Sequence, residues 1–283
     1  MTTAFVLSGG GSLGAVQVGM LQALSRAGIR PDLLVGCSVG ALNASWVAGD
    51  PAADSIDGLA RLWRSLSRGD VFPIQPVHGL LGFLGYRSSM LSDSGLRRLL
   101  KRYVAFRNLE DSPIPLHVVA CDVLAGREVL LSRGPAVEAI LASAAIPGVF
   151  PPVTVQGRAC MDGGILDNTP ISHAHDLGAD TIWVLPAGYA CALPRPPTSS
   201  LGMALHGLSL ALQQRLAIDI ARFEPIVDLR VVPPLCPVPT SPADFSQAGA
   251  LIDGARDSTE HWLRSLCPHP TGQALKASIH SHG

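Results

Sequence analysis

Two rhythms of apolar residues alternate along the chain. Apolar runs at 4–7, 33–35, 116–121 and 181–185, with His117 and Thr181 as their only polar members, are short and rich in Val, Ile and Leu, as strands buried on both faces are. Longer stretches repeat apolar residues every three or four positions: Val16, Met20, Leu21 and Leu24 within 15–27, then 41–48, 59–66, 136–145, 201–223 and 245–266. These predict helices. Gly28 sits where the first helix must close, and Pro147 bars continuation beyond 145. Shorter runs at 128–132, 153–155 and 227–232 complete the predicted strands. A strand followed by a helix, twice within the first 50 residues, predicts a parallel sheet covered by helices.

Residues 71–90 follow neither rhythm. Phe72, Ile74, Leu80, Leu81, Phe83, Leu84 and Tyr86 lie there among prolines and glycines, so an irregular flap is expected, packed on the core or lining a groove for an apolar substrate. The Pro-rich segments 193–197 and 233–242 are expected to be rigid surface loops. Residues 1–266 read as one domain and 267–283 as a disordered tail.

Composition excludes several classes of function. Only 15% of the 283 residues are charged, against about 25% in an average domain, and the net charge is −1. No Lys/Arg cluster interleaves with aromatic residues, so nucleic acid is not an expected partner. No apolar stretch reaches the ~18 residues of a spanning helix, and the first residues lack the form of a signal peptide. A cytoplasmic chain is expected, any membrane contact being peripheral. The six cysteines contain no C-x-x-C pair and are expected to be reduced, mostly buried thiols; neither a metal site nor a cofactor is indicated.

Two glycine turns carry the candidate chemistry. Gly9-x-Gly11-x-x-Gly14 has the spacing of a dinucleotide loop, but that use needs an acidic residue at the carboxyl end of the second strand, and Ser38 stands there instead. Gly36-Cys37-Ser38-Val39-Gly40 is a nucleophile elbow: a serine on a sharp strand-to-helix turn, with flanking glycines where backbone must pass closely. Parallel strands bring their carboxyl ends together, so the amides of Gly9, Gly10 and Gly11, with that of Val39, are expected to surround an oxyanion beside Ser38. A serine needs a base. His117, His173, His175, His206 and His261 are available but none sits in a turn at a strand's carboxyl end, whereas Asp162, ahead of Gly163-Gly164, has the form of a carboxylate in a tight turn after an extended segment.

The glycine block 9–14, the elbow 36–40, the run Ala142-Ser143-Ala144-Ala145-Ile146-Pro147-Gly148-Val149-Phe150-Pro151, and Asp162-Gly163-Gly164 with Asn168 and Pro170 together resemble the patatin-like phospholipases, in order and spacing, over residues 4–186. The resemblance implies a three-layer α/β/α sandwich with a mainly parallel central sheet. It further implies a Ser-Asp dyad in which Ser38 attacks a lipid ester and Asp162 takes and returns the proton. Leu13 departs from the pattern, which commonly has Arg or Lys at that place; neutral or single-chain esters are therefore the expected substrates. Two other readings stay open at this point: a non-catalytic lipid- or partner-binding module, and a conventional Ser-His-Asp esterase using His173 or His175.

Overall fold

A computed structural model describes residues 1–73, 86, 88–188, 196, 200–236 and 242–266, apart from the side chains of 200–202, 204 and 205. Its strands are β1 (Thr3–Leu7), β2 (Leu33–Cys37), β3 (Leu116–Asp122), β4 (Arg127–Leu131), β5 (Val153–Val155), β6 (Arg158–Asp162), β7 (Thr181–Leu185) and β8 (Asp228–Val231). They form one sheet in the order β5-β6-β3-β2-β1-β7-β8, with β4 also paired to β3. The β8-β7-β1-β2-β3 part is parallel throughout. The β4, β5 and β6 pairings are antiparallel.

Alternation along β1 sends Phe5 and Leu7 to one face and Ala4 and Val6 to the other, and both sets are fully buried. The Phe5 face packs under α1 (Gly14–Arg26), α2 (Val39–Gly49), α3 (Ala53–Ser65) and α9 (Ala248–Leu266). Opposite, α7 (Ile171–Asp176) and α8 (Ser200–Phe223) press Ile171, Ala174, Leu216, Ile220 and Phe223 against Val6, Val35 and Val184. Three layers result, as the resemblance implied. Helix α1 is buried from Gly14 to Leu24 because α9 covers its outer side.

Two further helices, α5 (Ser94–Tyr103) and α6 (Ala136–Ser143), flank the sheet's other end, and a single turn, α4 (Arg68–Val71), leads into the expected flap. Residues 74–85 of that flap lie outside the described residues, as do 193–195 and 267–283, the tail expected to be disordered. At the flap's start Phe72 stacks on Phe150 at 5.5 Å, so that end is core packing. Cys37, Cys121 and Cys160 are free and buried, while Cys236 belongs to a disulfide, which corrects the expectation of reduced thiols for that position; residue spacing alone cannot pair cysteines. No helix among the described residues is long and apolar enough to cross a membrane.

One feature of the sheet determines the site. β4 lines one edge of β3 from Val118 to Asp122, so both remaining partners must use the other edge. β2 runs along it in parallel up to the Cys37–Val119 pair. β6 comes down it antiparallel, ending at the Asp162–Ala120 pair. The two strands therefore meet end to end on consecutive residues of β3, and the residue leaving β2 faces the residue ending β6.

Candidate active site

The residue leaving β2 is Ser38. It is held at φ 53°, a left-handed conformation that costs a non-glycine residue about 1–3 kcal/mol and persists only where the surroundings enforce it. Two things enforce it. Gly36 and Gly40 let the turn close, since a Cβ on Gly40 would fall inside the Leu7 carbonyl and one on Gly36 would lie 2.6 Å from Ala41 Cα. The backbone N–H of Ser38 also donates to Ser143 Oγ (2.8 Å), whose hydroxyl donates to the Val119 carbonyl (2.6 Å). Ser143 is wholly buried on α6, and it went unassigned in the sequence because a serine inside an apolar helix carries no signature.

Facing Ser38 is Asp162. Ser38 Oγ donates to Asp162 Oδ2 at 2.7 Å, and Gly164 N–H donates to Oδ1 at 2.8 Å. Serine and carboxylate are 7% and 6% exposed. Burial pushes the Asp162 carboxyl up to about 6, against hydrogen bonds from Ser38, Gly164 and Cys37 that favour its charged form. Cys37 also reaches the carboxylate, its Sγ lying 3.9 Å from Asp162 Oδ1. Burial and the Asp162 charge raise that thiol well above its ordinary value, so it stays neutral. His173 and His175 bond Glu128 and Asp176, and neither bonds Ser38.

The opening glycine turn lies beside the serine, but its members differ. Gly9 N–H already donates to the Asn168 carbonyl (3.1 Å), so Gly9 is not an available oxyanion donor. Its contribution is space: a Cβ there would stand 3.1 Å from Ser38 Cβ and overlap Asn168 Oδ1. The N–H groups of Gly10, Gly11 and Val39 have no hydrogen-bond partner among the described residues, and Val39 opens α2, where the helix dipole adds positive potential. A buried amide network holds this turn. Gln17 donates to the Ser8 (2.8 Å) and Leu185 (2.9 Å) carbonyls and accepts from Asn43, which in turn accepts from Trp63 Nε1 (2.9 Å). A buried nucleophile, an adjacent carboxylate of raised basicity and free amides at a helix start can support acyl transfer.

The Asp162 shift has a consequence for stability. The folded state binds this proton more tightly than the unfolded chain, whose carboxyl titrates near its ordinary 3.8. The stabilising contribution is therefore full below that value and lost as pH rises through about 6. A shift of about two units corresponds to roughly 3 kcal/mol. Urea denaturation should show wild-type stability falling between acid and neutral pH, with a shallower fall in Asp162→Asn; equal slopes in the two proteins would contradict it.

Comparison with known proteins adds the following. The family model described as patatin-like phospholipase matches residues 5–175. An uncharacterized NTE family protein of Mycobacterium tuberculosis is 36% identical over 178 residues, covering 62% of this chain and 46% of the relative. Patatin-like phospholipase domain-containing protein 6 of Homo sapiens is 30% identical over 189 residues, covering 66% of this chain and 13% of that protein. The chain thus matches about half, or much less, of the length of these relatives. Among solved structures, VipD from Legionella pneumophila superposes with a TM-score of 0.47 at 17% identity, covering 93% of this chain and 67% of that one.

Proposed function

The chain belongs to the patatin-like phospholipase family, and from that premise we propose that it is a lipid acyl hydrolase in which Ser38 is the nucleophile and Asp162 the general base. The observation that carries this is the 2.7 Å hydrogen bond from Ser38 Oγ to a carboxylate whose basicity burial has raised to about 6. An ordinary aspartate is a feeble base at neutral pH; one about two units more basic lies closer to the working range of a proton acceptor.

In the proposed reaction Ser38 Oγ attacks the ester carbonyl as its proton passes to Asp162. The tetrahedral oxyanion takes hydrogen bonds from Gly10, Gly11 and Val39 N–H, each such donor being worth roughly 3 kcal/mol in the transition state. Collapse breaks the carbon–oxygen bond, and Asp162 hands the proton to the departing alcohol. Water then attacks the acyl-serine with Asp162 again as base, releasing the acid and returning the proton to Ser38.

Leu13 bears on the substrate. It is half-buried and presents an apolar side chain next to the oxyanion turn, where a cation would favour an anionic headgroup. We expect neutral and single-chain esters to be hydrolysed faster than anionic diacyl phospholipids, measured as kcat/KM across a panel of aryl, lysophospholipid and diacyl substrates. Equal or faster turnover of the anionic diacyl lipids would reject that preference, and no turnover of any ester would reject the hydrolase itself.

A further inference from the structure

A second polar cluster lies away from Ser38, on the face covered by α7 and α8. One carboxylate oxygen each from Glu128 on β4 and Asp167, with a ring nitrogen of His173 on α7, lie within 4.8 Å of one another. Asp167 is 1% exposed, and its Oδ1 has no hydrogen-bond partner among the described residues; its other oxygen receives only a long contact from Ser172 Oγ at 3.5 Å. Leaving a buried carboxylate oxygen unpaired is costly, on the order of 1–3 kcal/mol or more, unless something absent from the protein itself satisfies it.

We propose that Glu128, Asp167 and His173 form a binding site for a divalent transition-metal ion, of which Zn2+ is the probe. Charge and geometry both favour a cation of that valence. Three carboxylates face the cluster: Glu128, Asp167 and Asp219. The one guanidinium among them in the described residues, Arg215, is committed elsewhere, with Nε on Asp219 at 2.7 Å and Nη1 on the Leu166 carbonyl at 3.2 Å, and it reaches Glu128 only at 4.0 Å. Three carboxylates set against that one guanidinium leave an excess of negative charge for a cation to balance.

His173 Nε2 stands 3.2 Å from Glu128 Oε2, close to the roughly 3.3 Å that separates two donors on one tetrahedral ion. For both atoms to turn to the ion, the imidazole ligates through Nε2 as the tautomer that carries its proton on Nδ1. Two carboxylates with one imidazole suit Zn2+ or Mn2+, whereas Ca2+ and Mg2+ favour all-oxygen shells. No spacing in the chain announces the site, because its ligands come from a strand, a loop and a helix that only the fold assembles.

The experiment is calorimetric and thermal titration of the full, chelator-stripped chain with ZnCl2. Saturable uptake of one Zn2+ per chain is expected, with a rise in Tm and weaker responses to Mg2+ and Ca2+. Asp167→Asn and His173→Ala should each weaken Zn2+ binding by more than about tenfold, the loss that removing even an outer partner of a ligand brings. His280→Ala with His282→Ala, outside the described residues, should leave it unchanged. The visible spectrum of Co2+-loaded wild type should lack sulfur-to-metal charge transfer, a readout that stands even where a variant fails to fold. Absence of saturable uptake, binding that survives both ligand replacements, loss on removing the two tail histidines, or thiolate bands in the Co2+ form would each overturn the proposal.

Discussion

Asp162→Asn is expected to lower ester turnover by about 10⁴-fold or more while leaving the fold intact, and Ser38→Ala to do the same. Asparagine is isosteric with aspartate: its Oδ1 can still accept from Gly164 N–H while its Nδ2 donates to Ser38 Oγ, so the turn survives. What disappears is the proton acceptor. Alanine removes the attacking oxygen itself. Because the two groups act in one step, the double variant should be scarcely slower than either single one, the non-additivity of residues that work as a unit. In wild type, kcat/KM should fall as pH drops through about 6, where Asp162 takes up its proton. His175→Ala, whose ring bonds Asp176, should keep full activity. Turnover of Asp162→Asn within tenfold of wild type, or any persistent acylation in Ser38→Ala, would remove the dyad from consideration.

Gly40→Ala should cost about 3 kcal/mol or more of folding stability, enough to leave much of the protein unfolded. The added methyl would meet the Leu7 carbonyl carbon and the Ser8 carbonyl, backbone atoms of β1 and its exit that cannot rotate aside. Relief would require α2 to move off β1, which breaks the packing of Ala41 and Ala44, both fully buried. A contrast tests the reasoning. Gly207 lies in α8 with nothing within 4 Å of its would-be Cβ, so Gly207→Ala should stabilise by up to about 1 kcal/mol through helix propensity. Urea midpoints that place the two variants together would show that close approach is not what Gly40 provides.

Strands buried on both faces and helices with a clear apolar stripe were legible from the chain. So were the elbow around Ser38 and the carboxylate before Gly163-Gly164, because tight turns demand glycine at fixed offsets. What escaped has physical reasons. Helix α7 is only six residues, Ile171–Asp176, with two histidines in it, too short for a period to show. Helix α5 follows the irregular segment and buries only Gly95, Leu96 and Leu100, its other face carrying four cationic residues. Strand β6 reads Arg-Ala-Cys-Met-Asp, weak in β-branched residues, and its pairing with β3 decides where Asp162 goes. The use of Gly9 N–H by the Asn168 carbonyl, and the contact of Cys37 with Asp162, depend on that same meeting of strands and on nothing local in sequence.

β3 acts as a ruler. Ser38 and Asp162 are 124 residues apart along the chain, yet their separation is gauged by two adjacent positions on a single ladder, Val119 and Ala120. Intervening segments that bond neither residue, helix α5 among them, can lengthen, shorten or be exchanged without altering the reach from hydroxyl to carboxylate, provided β3 keeps its register and Ser143 keeps its bond to Ser38 N–H. Such a layout frees segments like α5 to diversify, while hydroxyl and carboxylate stay spaced by the β3 ladder.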